Sequence, residues 1–74
     1  FLTTNKSYKK IFLYSKGYVI IKILINNKLV QTKELNTEDS HTIQVPQDLQ
    51  RGFFIQFQIE GTGEVYEIEY EAPA

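Results

Sequence analysis

Apolar and polar residues alternate with a period of two along most of this chain, which is the pattern of β-strands that bury one face. The alternation is clearest in two consecutive runs, residues 53–60 and 66–71. Between them stands Gly61-Thr62-Gly63, and glycine permits the positive φ values of a tight reversal. The pattern predicts a hairpin over Phe53–Glu71 with one apolar face and one face of carboxylates and amides. We expect the rest of the chain to be organised around it.

Four further strands are predicted before this hairpin. The run most strongly inclined to β-structure, dense in Val and Ile, is followed by Asn26-Asn27-Lys28. Because Asn tolerates left-handed backbone, this tripeptide predicts a hairpin turn. We also expect a loop over Asn36–Ser40, a lead-in segment over Phe1–Ser7 and an exit linker over residues 72–74. The four predicted strands are Tyr8–Ser15, Tyr18–Ile25, Leu29–Leu35 (an edge) and His41–Val45, which Pro46 ends.

Six strands joined by short turns predict an all-β fold, a small antiparallel β-sandwich of the immunoglobulin-like or jelly-roll-like kind with about six to seven strands. A length of 74 residues predicts one domain, 1–74. The chain has no Cys to stabilise so small a domain and begins at Phe1 instead of Met, so we expect a fragment or module of a larger assembly. The predicted core rows are Ile11/Leu13, Val19/Ile21/Ile23/Ile25, Ile43/Val45, Phe53/Ile55/Phe57/Ile59 and Tyr66/Ile68/Tyr70.

One strand has a second face that is too apolar for plain solvent exposure. Tyr18, Ile20 and Leu24 share it with a single lysine. Tyr14 and Phe54 lie on the less apolar faces of their own strands. These five residues form a candidate interface for self-association or for contact with neighbouring subunits or domains.

Charge is unevenly divided although the net charge is −1. Residues 1–33 hold seven Lys and no acid, and residues 34–74 hold nine acids and one base, Arg51. A basic half is typical of nucleic-acid or membrane binding. The lysines alternate with core residues, however, which favours Lys-bearing and Glu-bearing strands that lie side by side and pair. No membrane contact is predicted, because the longest apolar run, Tyr18–Ile25, is far shorter than the ~20 residues of a spanning helix.

No group of residues predicts catalysis or a metal site. Glu38, Asp39 and His41 are close in sequence, but their spacing matches no calcium loop. Ser40 and His41 are adjacent, so on a strand their side chains point to opposite faces. The glutamates at 67, 69 and 71 have no predicted cleft in which to act as paired carboxylates. We therefore expect no enzyme, no cofactor and no small-molecule substrate.

The order of motifs over residues 17–70 resembles the small β-sandwich of bacteriophage tail proteins, particularly the tail-hub or nozzle-type proteins of short-tailed phages. The resemblance rests on the strand Tyr18–Ile25, on Lys33-Glu34-Leu35, Ile43–Pro46 and Arg51-Gly52, and above all on one closing pattern. That pattern is Phe54-x-Gln56-Phe57-x-Ile59-x-Gly61-Thr62-Gly63-x-Val65.

The resemblance implies a non-enzymatic structural module repeated around a ring or tube in a virion tail, with no catalytic residues. One alternative is a carbohydrate- or cell-surface-binding module, which requires exposed, coplanar Tyr and Phe rings. A third hypothesis, a nucleic-acid-binding barrel, is less favoured and requires a set of lysines on one face. That set is Lys9, Lys10, Lys16, Lys22 and Lys28.

Overall fold

The computed structural model describes residues 5–72, of which 71% lie in β-strands and none in an α-helix. The predicted all-β class is therefore confirmed. A single 3₁₀ turn, Gln47–Leu49, interrupts the strands. The strands are β1 (Lys6–Ser7), β2 (Lys10–Lys16), β3 (Tyr18–Ile25), β4 (Lys28–Asn36), β5 (Asp39–Gln44), β6 (Arg51–Gly52), β7 (Ile55–Glu60) and β8 (Glu64–Glu71).

Two three-stranded antiparallel sheets form the body of the fold. One has the strand order β5-β2-β8 and the other β4-β3-β7, while β1 and β6 make a short ladder of their own. The central strands β2 and β3 are separated only by Gly17, whose φ of +80° suits glycine. The chain thus passes directly from the middle of one sheet to the middle of the other. This arrangement agrees with the predicted small antiparallel sandwich.

The core lies between the two sheets and is built mainly from the inward faces of β2 and β3. Ile11 on β2 and Val19, Ile21 and Ile23 on β3 are fully buried. Burying side chains of this size stabilises the fold by about 1.5–3 kcal/mol each. The predicted core rows of these strands are confirmed, as is the row Ile43/Val45.

The β3–β4 hairpin follows its sequence prediction at the turn and departs from it along the strand. Asn26 and Asn27 have φ values of 52° and 65°, the left-handed backbone that a tight turn needs. The register then shifts between Ile23 and Leu24, a β-bulge. Because of this shift, Val30 and Leu35 are both buried although strict alternation assigns them to opposite faces. The predicted edge position of β4 is confirmed.

The predicted Phe53–Glu71 hairpin is wrong. β7 pairs with β3 and β8 pairs with β2, so the two strands belong to different sheets. Residues 61–63 carry the chain across, with the Gly63 N–H donating to the carbonyl of Tyr18 (2.8 Å). Glycine permits such a crossing as readily as a tight reversal, and each strand pairs with a central strand richer in buried residues.

Four residues of the two predicted hairpin core rows are exposed: Phe53, Ile59, Tyr66 and Tyr70. Phe53 precedes β7 and lies in a bend. A register shift between Tyr14 and Ser15 places Tyr66 in a bulge of β8, which breaks its alternation with Ile68. Ile59 and Tyr70 face inward, as their pairing with Ile21 and Ile11 requires, but on a side of the sandwich that no other part of residues 5–72 covers.

Other boundaries differ by a few residues. The first long strand begins at Lys10 and leaves Tyr8 buried before it, while β5 begins at Asp39 and shortens the predicted loop. Part of the predicted lead-in is ordered as β1, which pairs with β6. Residues 1–4 of the lead-in and 73–74 of the exit linker lie outside the described part of the chain.

Ser15 is fully buried on β2, and its hydroxyl has no hydrogen-bond partner among the described residues. A buried hydroxyl without a partner loses its bonds to water on folding. We expect Ser15→Ala to raise the free energy of unfolding by about 1 kcal/mol, measured by urea denaturation. The control Ser40→Ala alters an exposed hydroxyl and should change it by less than about 0.5 kcal/mol. A lower stability for Ser15→Ala would contradict this account.

Candidate functional site

The five residues of the predicted interface do not form one surface. Tyr14 lies on the outer face of the β5-β2-β8 sheet, where it alternates with the buried Leu13 and Ser15. Tyr18, Ile20 and Leu24 lie on the outer face of the opposite sheet and are half-buried. Phe54 stands just before β7 and is 43% exposed.

Polar side chains of the flanking strands border the apolar stripe on β3. Ile20 lies between Glu34 of β4 and Glu60 of β7. The Lys22 ammonium forms an ion pair with Glu60 (Nζ–Oε2 2.8 Å). Burial and the neighbouring Glu34 raise the pKa of Tyr18 above 10. The apolar residues of this stripe are therefore less exposed to solvent than the alternation alone indicates.

Two of the seven exposed large apolar side chains among the described residues, Ile59 and Tyr70, lie on inward faces along one side of the sandwich. We call this the open side: the edge strands β7 and β8 with the inward-facing residues Ile55, Phe57, Ile59, Ile68 and Tyr70. Ile59 and Tyr70 are 45% and 47% exposed, and the other three are half-buried. The ring of Tyr70 packs edge-on against Tyr8, with centroids 5.5 Å apart.

The opposite side, formed by β4 and β5, is closed. Val30, Leu35 and Ile43 are at most 8% exposed there. The Gln31 side chain links the two sheets, its Nε2 donating to the carbonyl of Gln44 (3.0 Å). Equivalent inward-facing positions thus differ strongly in burial between the two sides.

The two three-stranded sheets have four free edges, on β4, β5, β7 and β8, and three of these edges are modified. β4 and β8 each lie beside a bulge, and the Thr32 N–H on β4 bonds to the Gln31 Oε1 (3.1 Å). β8 also has Glu67, Glu69 and Glu71. On β5 the Ser40 N–H bonds to the Asp39 carboxylate (2.7 Å). Bulges, charges and occupied backbone groups discourage pairing with another strand.

The β7 edge has none of these features within residues 55–59. Its sequence Ile-Gln-Phe-Gln-Ile contains no charge, Pro or Gly, and its pairing with β3 has no register shift. The carbonyl of Phe54 accepts from the Asn26 N–H (3.2 Å). Since bonding directions alternate along a strand, the backbone groups of residues 55, 57 and 59 point to the free edge. β7 is therefore a flat, apolar edge that can accept another strand.

A second feature lies on the outer face of the β5-β2-β8 sheet. The Tyr14 hydroxyl donates to Glu38 (3.2 Å), and the Tyr14 and Tyr66 rings are 5.6 Å apart and tilted by 35°. Next to them runs a shallow groove of about 220 Å³ lined by Phe12, Thr42 and Glu67 among others. This volume is below the roughly 300–1,000 Å³ of typical ligand pockets.

Hydrogen bonding to carboxylates raises the pKa of Tyr14 (by Glu38) and of Tyr66 (by Glu64) above 10. The folded state keeps these protons at a pH where the unfolded chain has lost them, so stability is full below pH 10 and falls as pH rises through the folded pKa values. We expect the melting temperature to fall as the pH rises above 10, and to fall less in Tyr14→Phe. Equal slopes for both proteins would show that the Tyr14–Glu38 bond contributes nothing.

Lysines and glutamates lie side by side, as the alternation predicted. Lys10 is opposite Glu71 and Lys16 is opposite Glu64 across the β2–β8 ladder. Lys22 belongs to the other sheet. The five lysines named for nucleic-acid binding therefore do not share one face, and the geometric condition of that hypothesis is not met.

No group of three His, Cys, Asp or Glu side chains within residues 5–72 is arranged to hold a metal ion. No helix in that range has the length and apolar content to cross a membrane. Compared with protein-family models, with curated proteins and with solved structures, the chain has no match.

The alternation pattern does not predict the open side, because it places the same residues in the core. Ile59 and Tyr70 do face inward, so period-two alternation identifies their face correctly. Whether these residues are exposed depends on strand order, and the alternation pattern carries no information about strand order. One usable signal is present: residues 55–59 are five consecutive uncharged residues, and β7 carries its single charge at its last residue, Glu60.

Proposed function

We propose that this protein is a non-enzymatic structural or assembly module, and that it binds a second copy or a neighbouring subunit or domain through its open side. The supporting observation is the difference between the two sides of the sandwich. Ile59 and Tyr70 remain 45% and 47% exposed, whereas Leu35 and Ile43 on the closed side are 8% and 2% exposed.

The open side offers both interactions that join one sheet to another, burial of apolar surface and backbone hydrogen bonds. Covering apolar surface contributes about 25 cal/mol per Å². A strand added to β7 also gives partners to the backbone groups of residues 55, 57 and 59, which point away from β3. A protein partner supplies both interactions together, whereas a soluble small molecule supplies few of the backbone bonds.

The proposal includes a place in a virion tail only because residues 17–70 resemble the small β-sandwich of bacteriophage tail proteins. A tail is built by repeating a subunit around a ring or tube, and such a subunit needs surfaces that bind its neighbours. The open side and the free edge of β7 are surfaces of that kind.

Light scattering tests the proposal through the solution mass of the chain over about a hundredfold range of concentration. We expect a discrete oligomer that dissociates on dilution. A monomer throughout, with no binding to other chains of the parent assembly, would contradict the assembly proposal.

A carbohydrate- or cell-surface-binding module is the second candidate, favoured by the groove beside Phe12 and Tyr14. Phe12 is 36% exposed, and hydroxyl and carboxylate groups line the groove next to it. The nearby Tyr14 and Tyr66 rings are tilted by 35° and are not coplanar, which makes a flat stacking platform incomplete. A glycan screen with the variant Phe12→Ala as control tests this candidate. Saturable binding that Phe12→Ala abolishes would support it over the assembly proposal.

A further inference from the structure

We infer that β7 is the self-association interface, pairing antiparallel with β7 of a second copy about a two-fold axis. The inference rests on the proposed assembly function and names its partner and its register. Of the four free edges of the two three-stranded sheets, β7 alone lacks a bulge and an occupied edge N–H, and it has no charge within residues 55–59. Natural sheets use such features to prevent edge pairing, so their absence on one strand marks the edge that can pair.

The sequence of β7 is self-complementary in one register. Residues directly opposite each other in an antiparallel pair lie on the same face. With Phe57 on the two-fold axis, Ile55 is opposite Ile59 of the second copy, and Gln56 is opposite Gln58. Phe54 is then opposite Glu60, so no like charges meet. If the register shifts by two residues in either direction, Ile55 or Ile59 no longer has a residue of the second β7 strand opposite it.

Backbone geometry agrees with this pairing. Residues 55, 57 and 59 direct their N–H and C=O groups to the free edge, as the bond from the Asn26 N–H to the Phe54 carbonyl fixes. In the proposed register each of these residues exchanges both bonds with a residue of the second copy. The β4-β3-β7 sheet becomes one continuous six-stranded sheet, and the exposed part of Ile59 meets Ile55 of the second copy.

The neighbouring edge β8 is excluded from the same role by its charges. Glu67, Glu69 and Glu71 lie at alternate positions of β8. Face-to-face registry between two β8 strands places these carboxylates opposite one another, which is destabilising. The two-fold axis therefore passes through β7. Because the contact involves one six-residue strand, its area is at the small end of specific interfaces, and we expect dissociation on dilution.

Charge substitutions on the exposed, outward-facing Gln56 and Gln58 test the register without altering the core. In Q56E/Q58E, glutamates of the two copies are opposed, and we expect association at least about tenfold weaker. Within each copy the change at Gln58 is favourable, since Lys22 is opposite it. In Q56K/Q58E, each introduced lysine is opposite an introduced glutamate, and association should return.

The matched control is T42E/Q44E, which adds the same charge to exposed positions of the β5 edge and should associate as the unmodified chain does. Light scattering on all four proteins, each checked for a two-state thermal transition, gives the result. Unchanged association of Q56E/Q58E would overturn the β7 inference and leave the assembly proposal standing with another surface. A monomeric unmodified chain would overturn the inference and remove self-association from the proposed function.

Discussion

Ile23→Ala is expected to lower the free energy of unfolding by about 2–5 kcal/mol, the largest effect of any single truncation considered for this fold. Ile23 lies on the central strand β3, is fully buried, and pairs with Gln31 on one side and Phe57 on the other. Removing its side chain leaves a cavity that the two packed sheets cannot easily collapse. A 74-residue domain has a total stability of about 4–11 kcal/mol, so much of the protein should unfold at 37 °C.

Ile59→Ala is the matched control, because it removes the same side-chain atoms from a residue that is 45% exposed. We expect a loss of about 1 kcal/mol or less in dilute solution. Urea denaturation of both variants, monitored by far-UV circular dichroism, compares them directly. Equal losses would mean that β7 is as buried as β3, as the alternation pattern had predicted.

Gly63→Ala is expected to destabilise the fold by about 1–3 kcal/mol, because its methyl group would overlap backbone atoms. A Cβ at this position meets the carbonyl oxygen of Lys16, the carbonyl carbon of Gly17 and the nitrogen of Tyr18. None of these atoms can move without displacing the corner where β2 passes into β3. The bond from the Gly63 N–H to the Tyr18 carbonyl (2.8 Å) would also be strained.

Thr62→Ala, on the adjacent exposed residue, serves as the control and should change stability by less than about 0.5 kcal/mol. Thermal unfolding of the two variants separates the close backbone approach at Gly63 from a general effect of the loop. If Gly63→Ala were as stable as Thr62→Ala, the crossing between the sheets would not depend on this contact.

The sequence was sufficient to predict the central strands. On β3 the apolar row alternates without interruption, and on β2 it does so for Ile11 and Leu13 before the buried Ser15; a strand in the middle of a sheet buries its row whatever its neighbours are. The Asn26-Asn27 turn was predictable for a local reason as well, since both residues adopt positive φ.

Strand order and bulges were not predictable in the same way. The Gly61–Gly63 segment fits a hairpin and a crossing between sheets equally well, so local chemistry could not decide which strand pairs with β7. Bulges at Val30 and Tyr66 change the facing of a residue without a sequence signal that alternation detects. Alternation identifies a face and not an edge, and of the five residues of the predicted interface only Phe54 lies next to the β7 edge.

Amide hydrogen exchange at low and high protein concentration tests most directly the claim that the molecule assembles through β7. In the monomer, the N–H groups of Ile55, Phe57 and Ile59 point to solvent, whereas those of Gln56 and Gln58 are bonded to β3. We predict that raising the concentration slows exchange at residues 55, 57 and 59 and leaves the edge amides of β4 and β5 unchanged. Slowing confined to another edge, or no slowing at any concentration, would contradict the account.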